Sequence, residues 1–65
     1  MPIITFDYGR SLTRQQKTEL VELLTEGAQK VTGIRKAGIV VMIRESSPEN
    51  VGIGGRLLAD RDEGG

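Results

Sequence analysis

The sequence of 65 residues contains no cysteine, no histidine and no tryptophan, and its aromatic residues are one phenylalanine and one tyrosine. Without cysteine there is no disulfide and no thiolate chemistry, and without histidine there is no imidazole base. Together the two absences remove the usual zinc ligands, so we expect no metal site. A chain of this size buries only about 60% of its unfolded surface, and small domains usually add a disulfide, a metal or a partner chain. Association with a partner chain is the stabilising device that remains.

Charge and hydropathy patterning exclude further classes of protein. Nine Lys and Arg residues balance nine Asp and Glu residues, so no global field favours nucleic acid or an anionic membrane. No apolar run approaches the roughly 20 residues of a membrane span, and no signal-peptide pattern opens the chain. We expect one domain over residues 1–65, in the cytoplasm, with no nucleic-acid or membrane partner.

The first half of the chain predicts a strand followed by a helix. The β-branched and aromatic residues from Ile3 to Tyr8 are typical of a strand. Thr13 and Gln16 have the spacing of a helix capping box, and Gly33 is a typical helix terminator. Apolar residues between them recur at helical spacing and predict one buried face, formed by Leu20, Val21, Leu24, Ala28 and Val31, with Leu23 at its margin.

A second strand is predicted from Ala37 to Arg44, so that strand, helix and strand form a βαβ unit. Its connection is long enough for a parallel pair with a right-handed crossover. Alternate residues from Ile39 to Ile43 point to one face of this strand, while Val40 and Met42 point to the other. One helix covers only one face of a sheet, and we expect no second helix in the chain. A neighbouring subunit is therefore expected to cover the other face.

The last third of the sequence predicts a polar loop, a hairpin and a charged tail. Glu45 and Glu49 belong to the loop and are interpreted as solvated charges. The segment Val51–Arg56 is rich in glycine, which favours a tight turn, and it lacks the Gly-Lys-Ser/Thr ending of a phosphate-binding loop. The tail from Asp60 to Glu63, with the two glycines after it, is predicted to be disordered. The fold class is thus α/β (α+β), a β-α-β unit with parallel strands, one long helix and a short C-terminal hairpin.

Pro2 is the strongest candidate for a chemical role. Once Met1 is removed, Pro2 carries a free secondary amine at the start of a strand, a position that proline tolerates. An ordinary α-amine has a pKa near about 8, and burial beside Ile3 and Ile4 disfavours the charged form and lowers that pKa. A neutral amine near pH 7 is a competent general base. In a chain without histidine or cysteine, desolvation alone brings no other group into that range.

Five features in order resemble one known family. They are Pro2 at the start of a strand, Gly9-Arg10-Ser11, a helix containing Gln16-Lys17, the strand sequence Ile-Val-Val-Met-Ile, and Gly52-Ile53-Gly54-Gly55. In this order and at this length the set resembles the 4-oxalocrotonate tautomerase family from about Pro2 to Ala59. The resemblance implies a βαβ subunit that assembles into homo-oligomers, dimers and commonly hexamers, with active sites at subunit contacts.

The resemblance also implies a reaction and its residues. The amino-terminal proline acts as general base and moves a proton between an enol and its keto tautomer in a small carboxylic acid, with no cofactor. Pro2 matches the catalytic proline, and the substrate-binding positions fall at Arg10, Val40 and Val51. Arg10 matches the arginine of the Gly-Arg-Ser segment. Val40 replaces an arginine of the second strand, and Val51 replaces the aromatic residue before Gly-Ile-Gly-Gly.

Three functions remain open at this point. The first is a tautomerase of small enol or keto acids, with neutral Pro2 as base. The second is a related hydratase or dehalogenase, with protonated Pro2 as general acid. The third is a non-enzymatic oligomeric interaction module in which the proline is incidental. A retained Met1 would favour the module, because the Pro2 nitrogen would then be a tertiary amide.

Overall fold

The computed structural model describes residues 1–64 of the protein, and the side chains of residues 1–61. The elements in chain order are β1 (Ile3–Tyr8), α1 (Arg14–Thr32), a 3-10 turn (Lys36–Gly38), β2 (Val40–Glu45), a second 3-10 turn (Pro48–Asn50), β3 (Gly52–Ile53), β4 (Arg56–Leu57) and α2 (Leu58–Gly64). Gly65 lies outside the described residues.

The predicted parallel strand pair is confirmed. β1 and β2 align with Ile3 opposite Val40 and Tyr8 opposite Glu45. The ladder extends beyond the strands at both ends, because the Val40 N–H donates to the Pro2 carbonyl at 3.0 Å and the Ser46 N–H donates to the Tyr8 carbonyl at 2.8 Å. The sheet thus holds Pro2, just before β1, and Ser46, just after β2.

Both predicted ends of the long helix are confirmed. The Thr13 hydroxyl accepts from the Gln16 N–H at 3.1 Å, and the Gln16 side chain accepts from the Thr13 N–H at 2.9 Å, which completes the capping box. Gly33 has a φ of 75° and donates its N–H to the Gln29 carbonyl at 2.8 Å. Glycine adopts this left-handed conformation without the steric cost of a Cβ. Within residues 1–64, neither helix has the length and apolar character needed to cross a membrane.

The predicted start of the second strand at Ala37 is wrong. Lys36–Gly38 forms a 3-10 turn, in which the Gly38 N–H donates to Arg35 and the Ile39 N–H donates to Lys36. In a strand, the N–H groups of Gly38 and Ile39 would point in the plane of the sheet toward a neighbouring strand. Here both are used in hydrogen bonds within the turn. β2 therefore begins at Val40, the first residue whose N–H bonds to the chain leading into β1.

At the C-terminal end the hairpin is confirmed, and the predicted disorder is wrong for residues 60–64, which belong to a helix, while Gly65 lies outside the described residues. β3 and β4 pair antiparallel around Gly54 and Gly55, whose φ angles are 61° and 84°. The chain then enters α2, so the expectation of no second helix is also wrong. An acidic residue, Asp60, in the first turn of this helix is favoured by the helix dipole. The Leu58 N–H bonds to the Val51 carbonyl at 2.8 Å, which joins α2 to the segment before the hairpin.

The predicted buried face of α1 is only partly correct. Leu20, Leu24 and Ala28 are half-buried, whereas Val31 is 86% exposed. A helix of 19 residues is about 28 Å long, and a strand of six residues spans about 20 Å. The last turn of α1 therefore has no sheet beneath it.

The other face of the sheet is open in the single chain, as expected. Among the side chains of residues 1–61, Ile39 is the one buried residue, and on the open face Ile3 is 56% and Met42 48% exposed. The Cα radius of gyration is 15.2 Å, against about 11 Å for a compact chain of this length. The accessible surface is 5035 Å², against about 4,100 Å² for a compact monomer of this mass. The excess of surface over a compact monomer is comparable to the roughly 800 Å² that each partner buries in a standard interface.

We expect the charge introduced by Met42→Glu to disrupt association, because it would place a carboxylate in the centre of the open apolar face. Light scattering on a sizing column should show wild-type protein at a multiple of the 7.1 kDa chain mass and the variant at a lower mass. The matched control is Val31→Glu at the exposed end of α1. A monomeric wild type, or equal masses for wild type and Met42→Glu, would contradict the prediction.

Candidate functional site

Pro2 lies at the point where the chain enters the sheet. It is half-buried, and its carbonyl accepts the Val40 N–H, while β1 begins at the next residue. Its missing N–H removes nothing from the ladder. The backbone therefore holds the proline ring in a fixed place at the amino end of β1.

The backbone of Val40 lies next to Pro2, to which it is hydrogen-bonded. It pairs with Ile3 and shares the open face of the sheet with Ile3 and Met42. The wall that this strand presents near Pro2 is thus aliphatic. The Val40 side chain offers no hydrogen-bond donor there.

Arg10 and Val51 are at the opposite end of β1. Gly9 packs closely here, since a Cβ built on it would be 3.2 Å from Cγ2 of Val51 and 3.3 Å from Cδ2 of Leu58. β1 separates this end from Pro2 by about 20 Å. Within one chain the structure therefore places Val40 next to Pro2, and Val51 next to Gly9, the neighbour of Arg10, but it does not bring the two ends together.

Arg10 lines a cavity of about 330 Å³ at this end of the sheet. The other lining residues come from the connection before α1, from the last residue of β2 and from the segment after it: Ser11, Glu45, Ser46, Ser47 and Pro48. One guanidinium and three hydroxyl groups give the cavity donors suited to a carboxylate or another small oxyanion.

Glu45 is the residue of this cavity that the sequence interpretation missed. It ends β2 rather than standing in a solvated loop, and both carboxylate oxygens are engaged. Oε1 is 2.6 Å from Nζ of Lys17, and Oε2 accepts the Leu12 N–H at 2.6 Å. The Lys17 hydrogen bond, and next the Leu12 N–H, hold the pKa of the Glu45 carboxyl group below its usual range. One signal in the sequence pointed to this position of Glu45. The two strands were predicted to be parallel, and parallel pairing places their C-terminal ends together.

A second ion pair spans the same strand ends on the opposite face of the sheet. Nε and Nη2 of Arg44 donate to the two oxygens of Asp7 at 2.7 and 3.1 Å. This contact lowers the pKa of the Asp7 carboxyl group and raises that of the Arg44 guanidinium. Both side chains are largely exposed, so screening by solvent limits their effect on stability.

An apolar groove lies between β1 and α1. It encloses about 340 Å³ and is lined by Phe6, Tyr8, Leu12, Gln16, Glu19, Leu20 and Leu23. The Phe6 and Tyr8 rings are 5.7 Å apart between centroids. Leu23, which was placed at the margin of the helix face, lines this groove.

We expect Glu45→Gln to lower the free energy of unfolding at pH 7, because it removes the charge pair with Lys17. Folding lowers the pKa of the Glu45 carboxyl group, so the ionised group stabilises the fold at pH values above its pKa in the unfolded chain, about 4.3 for glutamate. This stabilisation is lost as the pH falls through the lower pKa of the folded state. The difference between wild type and variant should therefore shrink in acid.

Urea unfolding at pH 7 and pH 3, at one fixed protein concentration, measures this difference. Glu49→Gln in the following turn is the control and should change little. A wild-type advantage of the same size at both pH values would contradict the prediction.

Comparison with known proteins places the chain in a family. The family model described as "Tautomerase enzyme" matches residues 2–61. A 2-hydroxymuconate tautomerase of Bacillus subtilis is 34% identical over 62 residues, which cover 95% of this chain and all of the relative.

Two solved structures share the fold. DmpI from Archaeoglobus fulgidus is 41% identical with a TM-score of 0.81 and covers 91% of this chain and all of its own. TomN, a 4-oxalocrotonate tautomerase homologue of the tomaymycin biosynthetic pathway, is 29% identical with a TM-score of 0.89 and covers 95% of both chains. The chain belongs to the tautomerase family of enzymes.

Proposed function

We propose that this enzyme interconverts the enol and keto forms of small carboxylic acids, with Pro2 as general base after removal of Met1. The observation that carries the proposal is the position of Pro2, which the Val40 hydrogen bond fixes at the amino end of β1 beside an aliphatic wall. Burial of this end of β1 by a neighbouring subunit would disfavour a charged amine and keep a neutral lone pair available near pH 7.

The reaction requires one proton acceptor and no net change in the enzyme. The Pro2 nitrogen accepts a proton from one position of the substrate, and the resulting ammonium returns it to the position that completes the other tautomer. Substrate loses and regains one proton, and the amine is neutral again at the end. A secondary amine with a matched pKa performs both steps.

The proposed active site is completed between subunits. Pro2 and Arg10 are separated by the whole length of β1, and within the described residues β1 pairs with β2 on one edge. A second copy running antiparallel beside the other edge would bring the Pro2 end of one chain to the Arg10 end of its neighbour. We therefore propose a homo-oligomer built from dimers of βαβ units, with a hexamer as the full assembly.

We propose that the substrate has one carboxylate and an apolar remainder. Arg10 supplies a guanidinium suited to a carboxylate. Val40 and Val51 supply aliphatic surface. The B. subtilis relative is named for 2-hydroxymuconate, which has two carboxylates. With valine in place of the second arginine, we propose that this enzyme favours enols such as phenylenolpyruvate over that dicarboxylate.

We expect a pH–rate profile for ketonisation of phenylenolpyruvate to rise through an ascending limb near neutral pH. Pro2→Ala should lower kcat/KM by about a hundredfold or more, the usual contribution of a general base. Intact mass should show that Met1 is absent from the active protein.

Three results would argue against this mechanism. Retained Met1 in active protein would exclude Pro2 as the base. Activity of Pro2→Ala equal to that of wild type would do the same. A limb that falls near neutral pH, with hydration or dehalogenation of an unsaturated acid, would indicate protonated Pro2 acting as general acid.

We expect Arg10→Ala to raise KM for phenylenolpyruvate about tenfold or more, because one charged hydrogen-bonding contact to the carboxylate is lost. The matched control is Arg56→Ala in β4, whose Nη2 donates to the Asp60 carbonyl at 3.3 Å. Equal KM values for the two variants would contradict a role for Arg10 in binding.

A further inference from the structure

Arg10 is carried by a very short segment between two fixed points. On its N-terminal side, Tyr8 is bonded to Ser46 through the sheet and Gly9 packs closely against Val51. On its C-terminal side, the Leu12 N–H is bonded to Glu45. Only Arg10 and Ser11 lie between Gly9 and Leu12, so these contacts leave the backbone of Arg10 little freedom.

The second fixed point depends on one side chain from a distant part of the sequence. The bond from Leu12 to Glu45 joins residues 33 positions apart. Helix α1 begins two residues after Leu12, and its capping box organises Thr13 and the residues that follow. Without Glu45, the capping box would still form, but the described contacts would no longer tie the chain before Thr13 to the end of β2.

The charge of Glu45 would by itself oppose anion binding in the cavity that it shares with Arg10. A free carboxylate there would repel a substrate carboxylate or compete for the guanidinium. Lys17 reaches the same carboxylate from the first turns of α1 at 2.6 Å. Glu45 is therefore neutralised by Lys17 while its other oxygen holds Leu12.

We propose that Glu45 is a positioning residue for Arg10, acting through the Leu12 N–H to aim the guanidinium at the substrate carboxylate. The inference rests on the proposed function, in which Arg10 binds that carboxylate. Glu45 touches no substrate atom in this role. It holds the backbone that presents Arg10, and Lys17 keeps its charge from opposing the substrate.

Two substitutions of nearly equal size separate this role from a general contribution to stability. Glu45→Gln and Glu45→Met both remove the charge pair with Lys17, but only glutamine keeps an oxygen that accepts the Leu12 N–H. We expect Glu45→Met to raise KM for phenylenolpyruvate about tenfold with kcat within about twofold, the pattern of lost uniform binding. Glu45→Gln should stay within about threefold of wild-type KM.

A third variant and a control complete the set. Glu45→Asp keeps the charge but withdraws the carboxylate by one methylene, and we expect a rise in KM like that of Glu45→Met. Asp7→Asn breaks the ion pair on the opposite face of the same strand ends and should leave KM unchanged. Equal KM values for the Gln, Met and Asp variants would overturn the proposal.

Amide hydrogen exchange tests the positioning role without catalysis. Exchange at Leu12 should be faster in Glu45→Met and Glu45→Asp than in wild type, and nearly unchanged in Glu45→Gln. Unchanged exchange in all three variants would overturn the proposal even if KM rises. A wild-type enzyme with no tautomerase activity, but with the expected exchange pattern, would instead refute the proposed function and leave the Leu12 contact established.

Discussion

The parallel pairing of β1 with β2 is the interaction on which the rest of this molecule depends. Its register sets Val40 beside Pro2 at one end and Glu45 beside the chain that carries Arg10 at the other. A shift of one residue would turn every side chain of β2 to the other face. It would also move Glu45 away from Leu12. The sheet therefore positions both ends of the proposed active site with one set of backbone hydrogen bonds.

The same pairing explains why one chain is an incomplete structure. A single strand pair with one long helix buries one side chain among residues 1–61 and leaves the second sheet face and one edge of β1 uncovered. The helix α2 does not change this, because it packs against the C-terminal hairpin and the turn before it. Assembly would supply the missing core, and in the proposed active site it would also bring together the ends of β1 from different chains. Stability and the proposed catalysis would then share one requirement.

Sequence patterns predicted the parts of this fold that depend on local chemistry. The capping box of Thr13 and the left-handed Gly33 need only neighbouring residues, and the alternation in β2 follows from strand geometry. The turn at Lys36–Gly38 was missed because its residues resemble those of the strand that follows in apolar character. The sequence pattern therefore did not separate local turn hydrogen bonds from strand pairing. The role of Glu45 was missed because its partners lie far away in sequence, at Leu12 and Lys17. From the sequence alone, a glutamate such as Glu45 is interpreted as a surface charge. Its partners become evident only once the two strands are paired.

Val40 connects the assembly to the proposed chemistry. A cationic side chain near an amine disfavours the protonated amine by repulsion, and desolvation disfavours it by a separate route. Valine at this position removes the first contribution, so a neutral Pro2 would depend on burial. In the single chain Pro2 is only half-buried, and its surroundings on the open sheet face are exposed. The burial that the proposed base requires would then come from a neighbouring subunit. In this enzyme the association that completes the core would also set the protonation state of its catalytic group.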